Sequence, residues 1–495
     1  MDSPCCTIKD NIVVNKRWNQ DPQQVALLNL IKSCGKQKDL QKIIIIHADI
    51  LRTSSVSNDI YISTALISAY AKCGNIAKAR EIFNGLRVQS VVCWNSLISG
   101  YVLNGHGKEA FTLLARMQAQ GLSPNAVTFA CILKACSSMR LVKQGEQIHT
   151  EVIKRGLLKD SIVVGNAVVD MYAKFGMLVK ALEVFRELQR RDVITWNVLI
   201  SGYVQCGFAS KALECFNEML NDGFSPDSVT FACILKACGS IGAIEKGEQI
   251  HAEIRKQGLL NKGIVLGTSL VDMYAKCRLL NKAQQVFDVL PVRNVVTWNA
   301  LITGYVQHGH SNEALNCFAR MQNEGFSPNA VTYAIILKAC GSLGLIEKGE
   351  EIHAEVRKQG LLKDNIILGN ALVDLYAKCN LLARAREFFD ALPIRNVISW
   401  NALIAGYVQG GHNNEALDCF QRMQDEGIFP DTITFACTLK ACSSIGSLEK
   451  GEEIHNEIGK QGLLDKNPIM LGTALVDMYA KCGALVKARE IFEQL

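Results

Sequence analysis

The chain has 495 residues, of which 49% are hydrophobic and 20% charged, and carries a formal net charge of +6. No run approaches the roughly 18 apolar residues of a membrane span, so membrane insertion is not expected; the longest aliphatic stretch, Ile43 to Ile46, ends at His47. The modest, dispersed positive charge permits a polyanionic partner without demanding one.

Residues 1–23 form an N-terminal segment that fits no repeat, and targeting or disorder is its expected character. Its Lys9, Lys16 and Arg17 are offset by Asp2, Asp10 and Asp21. Organelle transit peptides are poor in acidic residues, so this segment alone does not decide localisation.

From residue 24 onward the chain repeats every 102 residues. Trp94, Trp196, Trp298 and Trp400 keep that spacing, each followed by Asn; so do His47, His149, His251, His353 and His455. Repetition on this scale predicts a solenoid, in which each unit buries its apolar face only by stacking on its neighbours. A solenoid offers a long groove rather than a catalytic cleft, so binding is the default expectation.

Each period divides into units of 35, 36 and 31 residues. In the 35-residue unit 295–329, Leu301, Ile302, Tyr305 and Val306 make one helical stripe that Gly309 breaks. Ala314, Leu315, Phe318 and Met321 make a second, closed by Gly325 and Pro328. That pattern predicts a helical hairpin. The same register gives unit starts at 24, 60, 91, 126, 162, 193, 228, 264, 295, 330, 366, 397, 432 and 469, hence fourteen hairpins. The last long unit holds one extra residue between Asp465 and Pro468, and the final short unit stops at Leu495, four residues early. Solenoids ordinarily close with a polar capping repeat, so a truncated array or one completed by a partner is expected.

The nineteen cysteines include no C-x-x-C, and most recur at fixed repeat positions such as Cys136, Cys238, Cys340 and Cys442. They are expected to pack as small hydrophobes in a reducing compartment, with no metal site.

The stretches Val295-Val-Thr-Trp-Asn-Ala-Leu-Ile302, Leu337-Lys-Ala-Cys340 and Ala371-Leu-Val-Asp-Leu-Tyr-Ala-Lys-Cys379, with three lengths in fixed order, resemble pentatricopeptide repeats (PPR) of the plant PLS subclass. The resemblance covers about 24–495. It implies an all-α, right-handed α-solenoid superhelix in a mitochondrion or chloroplast that binds single-stranded RNA, one base per unit. Many members direct C-to-U editing through C-terminal extension and DYW-type deaminase domains, neither of which these residues contain. Deaminase and editing factors are therefore expected in trans; the alternative is RNA stabilisation, splicing or processing. Tetratricopeptide repeats, protein-binding scaffolds, are the rival family: Trp298, Leu301, Tyr305, Ala314 and Phe318 partly meet their pattern, but the alternating lengths and the Pro-Asn and Pro-Asp endings at 328–329 and 430–431 do not.

Comparing repeats within the chain singles out two positions. The fifth residue is Asn95, Asn197, Asn299 or Asn401 in 35-residue units, and Thr64, Asn166, Thr268, Asn370 or Thr473 in short ones. The last is Asn125, Asp227, Asn329 or Asp431, and Ser90, Asp192, Asn294 or Asn396, respectively. Asn both donates and accepts, Thr has a rotatable hydroxyl, and ionised Asp only accepts, so Asp suits uracil N3–H or guanine N1–H. Two side chains per helical repeat are an established way to read splayed bases. The structural alternative is that the fifth residue caps its helix and the last merely makes a turn after proline.

By resemblance, Asn with Asp implies U at units 162, 193 and 397, and Thr with Asn implies A at 264. Asn with Asn implies a pyrimidine, preferably C, at 91, 295 and 366, and Thr64 and Thr473 imply purines. Long units stay unread because Ala130, Ala232, Ala334 and Ala436 occupy their fifth positions. The expected target, 5′ to 3′, is any, purine, pyrimidine, any, U, U, any, A, pyrimidine, any, pyrimidine, U, any, purine. The second residues Val92, Val163, Ile194, Val265, Val296, Ile367, Ile398 and Met470 would wedge between bases, or else are ordinary β-branched helix starters. Lys72, Lys174, Lys276, Lys378 and Lys481 resemble backbone-contacting lysines; five such contacts would give a log–log salt slope of about −3.5.

His251-Ala252-Glu253 and His353-Ala354-Glu355 match half of a zinc-deaminase signature, whose P-C-x-x-C half is absent. Neither a Walker sequence nor a nucleophile elbow occurs. The expectation is a non-enzyme that needs neither cofactor nor small-molecule substrate.

Overall fold

Thirteen-residue apolar-striped segments bounded by Asn, Asp or Ser on one side and Gly on the other fold as paired helices. The computed structural model describes residues 22–52, 59–363 and 365–494. Met1–Asp21, most of the unassigned N-terminal segment, and Leu495 lie outside the described residues. Every described element is helical, and two compact units divide after Ala237.

In the N-terminal unit the first helices of successive hairpins are Pro22–Gln37, Ile60–Lys72, Val91–Leu103, Ala126–Met139, Ile162–Lys174 and Val193–Gln205. In the C-terminal unit they are Ile264–Lys276, Val295–Gln307, Ala330–Leu343, Ile366–Lys378, Val397–Gln409, Thr432–Ile445 and Pro468–Lys481. Each packs against a second helix such as Ala209–Asn221 or Ser311–Asn323. Of the two predicted stripes, Leu301, Ile302, Ala314, Phe318 and Met321 are buried, as is Trp298, whereas Tyr305, Val306 and Leu315 are half-buried. The repeated-hairpin, all-α class read from the periodicity is the observed one. No described helix is long and apolar enough to cross a membrane.

Each kind of junction has its own joint. Between a short and a 35-residue unit, the ring of Phe185 meets the edge of Trp196 at 4.6 Å, and Phe287 meets Trp298 at 4.4 Å. Such pairs add about 0.5–1.5 kcal/mol beyond burial. The first helices also come close enough there that a Cβ on Gly304 would stand 2.5 Å from that of Ala275. Between a long and a short unit, His149 Nδ1 bonds the Tyr172 hydroxyl at 3.0 Å and His353 the Tyr376 hydroxyl at 2.7 Å. Between a 35-residue and a long unit, Phe318 meets Tyr333 and Phe420 meets Phe435 with ring centres 6.3 and 6.0 Å apart, beside a polar contact that belongs to the site below.

Three long units also end in an unexpected short helical turn: Leu157–Asp160, Leu259–Lys262 and Leu463–Lys466. The preceding Gly156, Gly258 and Gly462 adopt φ of 69°, 62° and 58°, which stops the helix and turns the chain back. All described cysteines are unbridged. Burial pushes the thiols of Cys136, Cys238, Cys340 and Cys442 up to about 11, so they pack as inert hydrophobes.

Candidate nucleic-acid interface

The last residue of a unit is the N-cap of the next helix. Asp227 Oδ1 accepts the backbone N–H groups of Val229 and Thr230, both at 2.9 Å. Asn125 does the same for Val127 and Thr128, both at 3.1 Å. Asn329, Asn396, Asp431, Asp192, Asn294 and Ser90 cap their helices likewise. Capping thus falls on the last residue. The fifth residue sits inside the helix and caps nothing, which corrects the capping alternative for that position; the last residue has a structural role of its own as the cap.

Capping decides what the last residue shows to the groove. An N-cap amide must turn its oxygen inward to satisfy the helix N–H groups. Asn125 and Asn329 are left with Nδ2 donors, whereas Asp227 and Asp431 are left with an Oδ2 acceptor. Burial pushes the Asp227 carboxyl up, but the hydrogen bonds of the Thr230 backbone, Asn197, the Thr230 hydroxyl and the Val229 backbone outweigh it and hold the pKa below the ordinary value. Asp227 is therefore an anion at neutral pH.

Fifth and last residues touch. Asn95 Nδ2 donates to Asn125 Oδ1 at 3.0 Å, Asn197 to Asp227 at 3.0 Å, Asn299 to Asn329 at 3.3 Å and Asn401 to Asp431 at 3.0 Å. Their Oδ1 atoms accept the hydroxyls of Thr128, Thr230, Thr332 and Thr434 at 2.6, 2.6, 2.8 and 2.6 Å. One amide N–H remains. Asn166 and Asn370 reach Asp192 and Asn396 at 3.5 and 3.3 Å. The threonines behave oppositely: Thr64, Thr268 and Thr473 bond the carbonyls of Ile60, Ile264 and Ile469 within their own helices at 2.6, 3.0 and 2.6 Å. With the proton given to its own helix, each Thr keeps a lone pair to offer; Thr268 Oγ1 shares its other with the Thr297 hydroxyl at 2.8 Å, and Thr64 Oγ1 lies 3.1 Å from Cys93 Sγ.

The second-position side chains are exposed: Val92 61%, Ile194 59% and Ile398 59%, with Val163, Val265, Val296, Ile367 and Met470 similar. They are not core. The sequence reading missed that long units continue the row, through Val127 and Val229 in the N-terminal unit and Val331 and Ile433 in the C-terminal one; it also missed Tyr61. All are visible in the sequence as position-two residues. Around the unit at 60, Tyr61, Thr64, Lys72, Ser90 and Val92 line one cavity of about 850 Å³, which brings all four predicted classes together.

The lysines need qualification. Lys174, Lys276 and Lys378 each pair with an aspartate one turn back, Asp170, Asp272 and Asp374, at 2.7 Å, and Lys481 pairs with Asp477 at 2.9 Å. Lys72 has Ser68 at that place and no carboxylate partner among the described residues. The H-x-E histidines face tyrosine, and burial lowers the pKa of His251 and His353. Among the described residues no three His, Cys, Asp or Glu side chains gather to hold a metal.

Comparison with known proteins bears on identity. A profile described as the PPR repeat family matches residues 89–138, 191–240, 293–342 and 395–444. A PPR repeat profile matches 61–90, 166–193, 268–295, 331–361 and 473–495. A pentatricopeptide repeat-containing protein of Arabidopsis thaliana is 40% identical over 96% of this chain, which spans 65% of that relative. Another, named chloroplastic, is 34% identical over 88% of this chain and 70% of its own length. A third, named mitochondrial, is 33% identical over 94% of this chain and 45% of its own length. The chain thus spans about half to two thirds of these relatives. Among solved structures, the pentatricopeptide repeat protein PPR10 in complex with an 18-nt psaJ RNA element shares 19% identity at TM-score 0.43, covering 95% of this chain and 79% of that one. Repeat profiles along the array and relatives aligned over nearly all of it make this chain a member of the pentatricopeptide repeat family.

Proposed function

We propose that the chain binds a specific single-stranded RNA, one base per unit, as a PLS-type array of alternating 35-, 36- and 31-residue repeats. The observation that carries this reading is the set of polar atoms left over after capping. Asn with Asp offers a donor and an acceptor, which suits the carbonyl and N3–H of uracil. Asn with Asn offers two donors, which suits the N3 and O2 acceptors of cytosine. Thr268 with Asn294 offers an acceptor and a donor, which suits the N6 amine and N1 of adenine. Splayed bases read by hydrogen bonds on their Watson–Crick edges are a known mode of RNA recognition.

Relatives named chloroplastic and mitochondrial support an organellar setting. Within it, we infer that the array chooses the target for C-to-U editing, while a deaminase acting in trans, with editing factors, supplies the chemistry. Titrating the purified chain with a 14-nucleotide RNA of the expected sequence and with a scrambled control tests RNA binding. A cytidine at a fixed offset downstream of a matching organellar site, unedited when the protein is removed, tests editing.

A further inference from the structure

We propose that the buried hydroxyl at the third position of the four long units that follow a 35-residue unit, on Thr128, Thr230, Thr332 and Thr434, is a positioning residue. It fixes the amide of the preceding fifth-position Asn and thereby sharpens base choice in the 35-residue units. The inference rests on the RNA-reading proposal above.

Proton bookkeeping around Asn197 carries the argument. The Thr230 Oγ1 atom is fully buried and accepts the backbone N–H of Asp227 at 3.1 Å. Oγ1 has a single proton to give and lies 2.6 Å from Asn197 Oδ1 and 3.0 Å from Asp227 Oδ1. The Asp oxygen already accepts two backbone N–H groups and the Asn197 amide. The proton therefore goes to Asn197. Flipping that amide would lose this bond and set its oxygen against the Asp227 carboxylate. Two constraints thus hold one orientation, in which only N–H faces the groove.

Short units with the same residue pair lack the lock. Thr195 gives its hydroxyl to Asp192 at 2.8 Å, and Ser399 gives its own to the Asn396 carbonyl at 2.8 Å. The Oδ1 atoms of Asn166 and Asn370 are buried with no hydrogen-bond partner. Each amide is held by a single long bond of 3.5 or 3.3 Å. An unsatisfied buried carbonyl gains from any rotation that finds it a donor, so these Asn amides are held less firmly than that of Asn197, which has both a close carboxylate and a hydroxyl partner. Units 162 and 193 both pair Asn with Asp, yet only 193 is locked. They should differ in discrimination.

The test uses the full chain and the 14-nucleotide RNA, with the nucleotide facing unit 193 or unit 162 varied through all four bases. In the unaltered protein the spread of affinities at unit 193 should exceed that at unit 162. Thr230→Val should shrink the unit 193 spread about tenfold, the worth of one hydrogen bond, while Thr230→Ser should retain it. Equal spreads at the two units, or a Thr230→Val protein that weakens on all four RNAs alike, would overturn the positioning role. If Thr230→Val fails to fold, the comparison of units 162 and 193 still decides. Failure of the unaltered chain to bind any of these RNAs would overturn the RNA reading itself, and this inference with it.

Discussion

Asn197 and Asp227 stand thirty residues apart in the chain and one hydrogen bond apart in space, Nδ2 to Oδ1 at 3.0 Å. Because the inner Asp oxygen caps the next helix, only the outer one is left to meet a base. Changing Asp227→Asn replaces that acceptor with a donor and keeps the cap. The preferred base at unit 193 should move from U to C, each exchange being worth about 1–3 kcal/mol. Binding to the two RNAs, measured side by side, checks it. Asn329→Asp should do the reverse at unit 295.

The groove lysines are largely neutralised before any RNA arrives. Exposed pairs one helical turn apart contribute about 0.3–0.5 kcal/mol, so the fold should tolerate losing them. Changing Asp170, Asp272, Asp374 and Asp477 to Asn frees four lysines. Affinity should rise, and the log–log salt slope should steepen by about 0.7 per lysine that then reaches a phosphate. An unchanged slope would show that these lysines do not face the RNA backbone.

Exposure at position two separates binding from stability. Ile194→Ser should leave the melting temperature nearly unchanged while lowering affinity about fivefold for every RNA, given about 1 kcal/mol for half-burying one aliphatic side chain. Val229→Ser should behave alike if long units, though unread, still hold a nucleotide. A loss confined to Ile194 would mean that the long units stand off the RNA.

The histidine–tyrosine joints make the array acid-sensitive. Burial lowers the pKa of His47, His149, His251, His353 and His455 below 6.5, so the unfolded chain takes up protons first as pH falls. Stability from this source is complete above pH 6.5 and is lost as pH drops through the lower folded values. The opposite limb comes from tyrosine: with Tyr274 pushed up to about 12, stability is lost as pH rises above 10. Melting temperatures should fall between pH 7 and 5.5, and replacing the five histidines with Gln should flatten that limb.

Much of this was legible in the sequence, for a physical reason. A unit that buries its stripe only against a near-copy of itself must repeat the stripe, so Trp94, Trp196, Trp298 and Trp400 marked the register and Gly325 marked a helix end. Composition alone could not show which oxygen of Asp227 is spent, because that depends on the backbone N–H groups it caps. Nor could it show that Thr128 and Thr230 serve two units at once, since the residues they join lie 33 positions away. Asp170 and its counterparts went unnoticed because a carboxylate four residues before a lysine reads as an ordinary exposed helix pair.

The central claim is that leftover donors and acceptors, unit by unit, choose bases. Selection of a random RNA pool on the purified chain tests it most directly. Enrichment of U-U-any-A-pyrimidine, read 5′ to 3′ across units 162 to 295, is the expected result. Salt-sensitive binding with no enriched sequence would contradict it.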